Sequence, residues 1–213
     1  MTHPIDVITA FHNAFRADMA QIDAAALAAA RGKDGLAPTI DRFHFFNEIL
    51  VWHATGEELA IYPVLETVAP LVAEAYVMDH RGLDTAFEAL NNAVSARDTL
   101  QTARAAAAFK FHLDLHLDKE DAHLYRLFRE RIPLPDQGQA IGQLASHIPQ
   151  ARFPDVIAWV FPLIGNDDRE NTLRIWQMVM PAPVFGGIKP LIIKAIGDDW
   201  AELTRRIPTL LDA

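Results

Sequence analysis

Two four-residue spacings carry chemistry in this chain: His53 with Glu57, and His116 with Glu120. Four residues advance an α-helix by about 400° and about 6 Å, so each imidazole and its carboxylate face the same way, one turn apart. Imidazole nitrogen beside carboxylate oxygen is a chelating pair for a divalent metal. One such spacing alone means little, because surface ion pairs use it too. Here, however, the two segments match more widely. HATGEELAIYPVLE, starting at His53, aligns with HLDKEDAHLYRLFR, starting at His116, at a constant offset of 63. An acidic neighbour (Glu58, Asp121), a tyrosine (Tyr62, Tyr125) and an apolar pair (Val64–Leu65, Leu127–Phe128) also recur. His12 and His80 add two more histidines, followed three residues later by Phe15 and Leu83.

Long helices must position these groups. The first is expected from Pro4 to Arg31, with Ile8, Phe11, Phe15, Met19 and Ile22 at three- and four-residue steps. Gly32 and Gly35 stop it. Thr39 or Asp41 could cap the second, which carries Phe45, Ile49, Trp52, Leu59 and Leu65. The third starts near Pro70 and ends around Ser95; the fourth follows Arg97–Asp98–Thr99 and ends before Ile132–Pro133. No segment alternates at the period of a strand. Four helices with short links predict an all-α, up-down-up-down four-helix bundle over 1–132. His12 and His80 lie early in their helices, and His53 and His116 past the middle of theirs. In an antiparallel bundle these heights coincide, which predicts one shared site in the core. Glu57 and Glu120 would be costly to bury there without a cation. Two bridging carboxylates among imidazoles suit a pair of iron ions.

The remainder, 133–213, is a Pro-interrupted helical extension, with helices expected near 137–148, 154–164, 167–179 and 187–207. Nothing catalytic stands out in it; packing on the bundle or forming a homodimer face is its expected role. The chain has no cysteine and nine histidines. Disulfides, iron–sulfur clusters and Cys-ligated zinc are therefore excluded. The net charge of −9 argues against a nucleic-acid partner. No apolar run is long enough for a membrane span, and the N-terminus lacks a secretory pattern, so a cytoplasmic location is expected.

Over about residues 5–131 the chain resembles the hemerythrin-like (HHE cation-binding) family. The resemblance implies a left-handed four-helix bundle holding two non-haem iron ions with an oxo or hydroxo bridge. The family's terminal histidines fall on His12, His53, His80 and His116, and its bridging carboxylates on Glu57 and Glu120. There are departures. Oxygen-carrying members place a histidine four residues after the first on the third helix, where this chain has Asp84. They also space the fourth-helix carboxylate so as to select Asp121, whereas Glu120 shares the face of His116 and mirrors Glu57. Asp84 is either a ligand or an acceptor orienting an imidazole. His112, one turn before His116, is an extra ligand or a supporting group. Tyr62 and Tyr125 are expected to pack or offer hydroxyls, His123 to be structural, and His44 to face solvent. The implied partner is dioxygen, peroxide or nitric oxide, in binding, sensing or peroxide turnover. The alternative is an iron- or oxygen-responsive regulator signalling through the extension. A ferritin-like oxidase ranks low, because only Glu120-Asp-Ala-His123 has the required Glu-x-x-His form.

Overall fold

The apolar stripe of the first helix organises the molecule. In the computed structural model, which describes residues 3–211, Ile8, Phe15, Met19 and Ile22 are all buried. Helix α1 (Val7–Ala30) follows a short 3₁₀ turn that begins at Pro4. The second rod is α2 (Ala37–Gly56), a π-turn (Glu57–Ile61) and α3 (Tyr62–Glu66). The third is α4 (Val72–Ser95). The fourth is α5 (Thr99–Lys119), a second π-turn (Glu120–Leu124) and α6 (Tyr125–Arg131). Short links join the rods, and α1 packs on α2 and α5 while α5 packs on α4. This is the up-down-up-down bundle, and among the described residues there is no strand.

Some details depart from the sequence expectations. The second rod starts at Ala37, so Thr39 is a buried residue within the helix rather than its cap. The larger departure is the interruption of the second and fourth rods by π-turns. In each, the tyrosine N–H donates to the glutamate carbonyl five residues back, Tyr62 to Glu57 and Tyr125 to Glu120. The extra residue per turn rotates the helix face. Leu59, expected in the core, is consequently 62% exposed, while Ala60, Ile61 and Tyr62 turn inward.

The extension folds as α7 (Leu134–Ala145), α8 (Phe153–Leu163), α9 (Asn166–Val179), α10 (Ala182–Ile196) and α11 (Trp200–Arg206). The single helix expected near 187–207 is thus two, parted at Gly197, whose φ of +55° suits glycine. Several prolines start helices rather than break them: Pro135, Pro154 and Pro183 sit in first turns, where the missing N–H costs nothing. Helices α8 and α9 pack on α1, and α7 packs on α2 and the first π-turn. Asp18, buried on α1, accepts from the Trp159 indole of α8 at 2.6 Å and from Arg42 of α2. One hydrophobic core runs from Ile5 to Leu210.

The extension also packs closely on the bundle at Gly56. A Cβ there would lie 2.7 Å from Leu144 Cγ and 3.1 Å from the Leu144 carbonyl oxygen. Gly56→Val should therefore cost about 1–3 kcal/mol by overpacking, a fall in Tm of about 2–12 °C. Thermal melts with Leu144→Ala as partner check this: the double variant should recover part of the loss, and an undiminished Tm in Gly56→Val would contradict the contact.

Candidate metal centre

The four rods bring six of the sequence-predicted residues together in the core. His12 comes from α1, His53 from α2, His80 from α4 and His116 from α5; Glu57 and Glu120 each open a π-turn. Each is at most 5% exposed, and both glutamates are fully buried. They form two overlapping groups, His12–His53–Glu57–Glu120 and Glu57–His80–His116–Glu120, with donor atoms within 4.8 Å of one another in each. His12, His80 and His116 turn Nε2 toward the glutamates, as does His53. Glu57 divides its oxygens between the groups: Oε1 lies 3.0 Å from His53 Nε2, and Oε2 lies 3.5 Å from His80 Nε2. Glu120 Oε2 lies 3.5 Å from His12 Nε2 and 3.3 Å from His116 Nε2.

The π-turns explain what surrounds the cluster. Five residues along an α-helix would turn Tyr62 about 140° away from Glu57; the wider turn keeps both on the inner side. The tyrosines then cross over. Tyr62 donates to Glu120 Oε1 at 2.9 Å, and Tyr125 donates to Glu57 Oε1. The acidic neighbours cross over as well. His80 Nδ1–H donates to Glu58 at 2.9 Å, and His12 Nδ1–H to Asp121 at 2.9 Å. Arginines fix both acceptors, Arg81 on Glu58 and Arg16 on Asp121. An imidazole held by its outer N–H has its inner lone pair free for a metal, the arrangement that orients histidine ligands in metal sites.

Asp84 and His112 are not in this cluster. Asp84 is 66% exposed and pairs with Arg81, so it reaches His80 only through Arg81 and Glu58. His112 is exposed on α5, turned outward beside Phe111. His44 and His123 are exposed too. Glu58, Asp121, Arg16 and Arg81 were not singled out from sequence as supports. The 63-residue repeat already marked Glu58 and Asp121 as equivalent, but not the helix each would reach.

The electrostatics fit a cation. Burial raises Glu120, and the Glu57 charge adds to it, to about 8. Glu57 is held well below its ordinary value: burial opposes ionisation, but His53, His12 and His80 outweigh it. The two carboxylates are thus driven apart, Glu120 toward the protonated form and Glu57 toward the charged form, in part because their charges repel. His12 and His80 rise to about 9 because their carboxylate partners outweigh burial. His116 falls to about 4, by burial first. Glu57 Oε2 and Glu120 Oε2 accept no hydrogen bond, a costly condition for buried oxygens. Orphaned carboxylate oxygens aimed at imidazole nitrogens fit a bound metal, and an oxygen and nitrogen donor set without sulfur fits iron among others. A cleft of about 580 Å³ between the second and third rods reaches the cluster, with Glu57, His80 and His116 at its floor and Leu59, Arg81 and Glu88 among its outer residues.

Comparisons with known proteins agree with this geometry. Residues 3–78 match the Hemerythrin family, described as the hemerythrin HHE cation binding domain. Zinc finger protein BRUTUS of Arabidopsis thaliana is 24% identical over 185 residues, covering 84% of this chain and 15% of that protein. Two BRUTUS-like zinc finger proteins of the same plant are 21% and 22% identical, covering 84% and 85% of this chain and 15% and 17% of theirs. The chain thus spans about 15% of the length of these relatives. The shared 84% is more than residues 1–132 can supply, so the likeness runs into the extension. No solved structure matches significantly. By this match residues 3–78, which hold His12, His53 and Glu57, are similar to a hemerythrin HHE cation binding domain.

The charges predict a pH signature for the metal-free protein. His12, His80 and Glu120 hold their protons more tightly folded than unfolded. Their stabilisation is complete below the unfolded pKa and is lost as pH rises through about 8 and 9. His116 and Glu57 are depressed, so they destabilise on acidification. Urea midpoints of chelator-treated protein should be highest across about pH 4.5–6.5, where the Glu120 and His116 contributions offset each other, and fall toward pH 9. Metal requires deprotonated ligands, so loaded protein should lose the alkaline decline. An identical decline with and without metal would contradict this.

Proposed function

We propose that this hemerythrin-like bundle binds a pair of non-haem iron ions and presents them to a small molecule of the dioxygen, peroxide or nitric oxide class. The observation supporting the pair is the overlap of the two ligand groups at Glu57 and Glu120. Two cations at the separation of known dinuclear sites, about 3.5–4 Å, repel each other, and shared carboxylates offset that repulsion. When bound, the iron supplies one-electron redox chemistry and open positions for a small ligand. The chain's own residues do the rest. Glu58 and Asp121 hold the His80 and His12 rings with Nε2 inward. Tyr62 and Tyr125 tie down one oxygen of each glutamate, leaving the other turned to the cluster. The cleft beside His80 gives a small ligand a path from solvent. Asp84, at the position where oxygen carriers have histidine, lies outside the cluster. The proposed site therefore has one imidazole fewer beside its two carboxylates, and a donor set richer in carboxylate relative to imidazole stabilises ferric iron, which favours oxidation or peroxide turnover over reversible oxygen release.

One contact favours a second reading, a regulator that responds to iron or oxygen through the extension. Gly56, packed against Leu144 of α7, adjoins Glu57. Movement of Glu57 on gaining or losing metal would press on α7 directly. Hydrogen exchange in α7 that changes on chelation supports this reading; unchanged protection counts against it.

Metal analysis tests the main proposal. Anaerobically loaded wild type should hold two irons per chain. His116→Ala and Glu57→Ala should lose most of that iron, while His44→Ala should keep it. Equal iron content in all four proteins would contradict the site.

A further inference from the structure

A second cavity lies on the far side of His53 from the cleft. It measures about 180 Å³ and sits between α1 and α2 of the bundle and α7, α8 and α9 of the extension. Its walls include Ile8, Phe11, Trp52, Ile141, Phe153 and Trp176. No Asp, Glu, Lys or Arg lines it, and the one imidazole in the wall is His53. An apolar cavity of about 150 Å³ is known to stay dry and to take up benzene or xenon. This one is slightly larger and is lined mostly by apolar side chains.

Two glycines border this space. Gly138 and Gly142 stand one turn apart on α7, and both line the cavity. Glycine within a helix lowers its stability relative to alanine. Neither glycine has the positive φ that would require it. Nor does close packing require it: a Cβ on Gly142 would meet nothing within 4 Å, and one on Gly138 would be in ordinary contact with Val179 at 3.8 Å. This is the opposite of Gly56, where a neighbour excludes any side chain. Gly142 is exposed and Val179 is 36% exposed, so the mouth lies between the two helices that carry them.

We infer that this cavity is a binding site for a small, uncharged, apolar molecule of about the size of a single aromatic ring. Such a ligand gains by leaving water, and the apolar walls give it dispersion contacts on all but the open side. A charged analogue of the same size would be excluded, because nothing in the walls pairs with its charge. The ligand would lie against the imidazole of His53, next to the cluster but separated from it by that ring. The inference rests on the cavity alone and holds whether or not the cluster carries iron.

Benzene, toluene and benzoate are the probes, and Trp52 and Trp176 in the wall are the reporters. Titration of the protein as purified with benzene or toluene should change tryptophan fluorescence saturably. At ten times Kd either should raise Tm by about 3–6 °C, and benzoate should do neither. Gly142→Leu, which has room for its Cβ and a better helix former in α7, should fold and lose at least tenfold in affinity. Ala145→Leu, one turn of α7 closer to the extension's first loop and also in the lining, provides a second obstruction. Absence of a saturable response to benzene and toluene in folded wild type would overturn the inference. So would benzoate binding as well as benzene, or unchanged affinity in both folded variants.

Discussion

Two carboxylates face each other in the middle of an apolar bundle, and the rest of the structure answers to that. Glu57 and Glu120 are fully buried on opposite rods. Burying one ionised carboxylate without partners costs several kcal/mol, and burying two side by side adds their repulsion. The protein meets this with four imidazoles and two phenols, and still leaves one oxygen on each glutamate without a hydrogen bond. A cation between them would remove the deficit that the protein leaves. The unmet oxygens thus make the polar centre costly to the fold when no cation is bound.

The geometry that satisfies the carboxylates is doubled. The two halves of the bundle repeat the same segment, and each segment supports the other half. From each π-turn the inner glutamate faces the cluster, the next acidic residue holds a histidine of a neighbouring rod, and the tyrosine reaches the opposite glutamate. A regular α-helix could not send all three where they are needed. The π-turn gives up the regular hydrogen-bond register for one turn and gains that placement, which is why such turns gather at functional sites. The extension is built onto the same point, since α7 packs against the first π-turn through Gly56 and Leu144.

The sequence carried much of this in its spacing. Four long apolar stripes make the bundle readable, and the heights of His12, His53, His80 and His116 along their helices put them at one level. The constant offset between the two His–Glu segments marked the pair of glutamates. The π-turns were not readable, because they change helix phase without changing composition. For that reason Leu59 was expected inside and lies outside. Asp84 and His112 share helical faces with true cluster residues, yet both are exposed, since side-chain direction at the edge of a stripe depends on the neighbouring rod. The crossed contacts from Glu58 and Asp121 depend on which helices are adjacent, and local spacing does not encode adjacency. Proline positions were read as breaks, although several are helix starts, a distinction set by one or two residues of register.

The central claim is that Glu57 and Glu120 hold a pair of metal ions between them. X-ray absorption at the iron edge of anaerobically loaded protein tests it most directly. The account predicts a shell of nitrogen and oxygen without sulfur, multiple scattering from imidazole rings, and an iron–iron distance under about 4 Å. Isolated iron with no metal neighbour, or iron without imidazole in its shell, would contradict it.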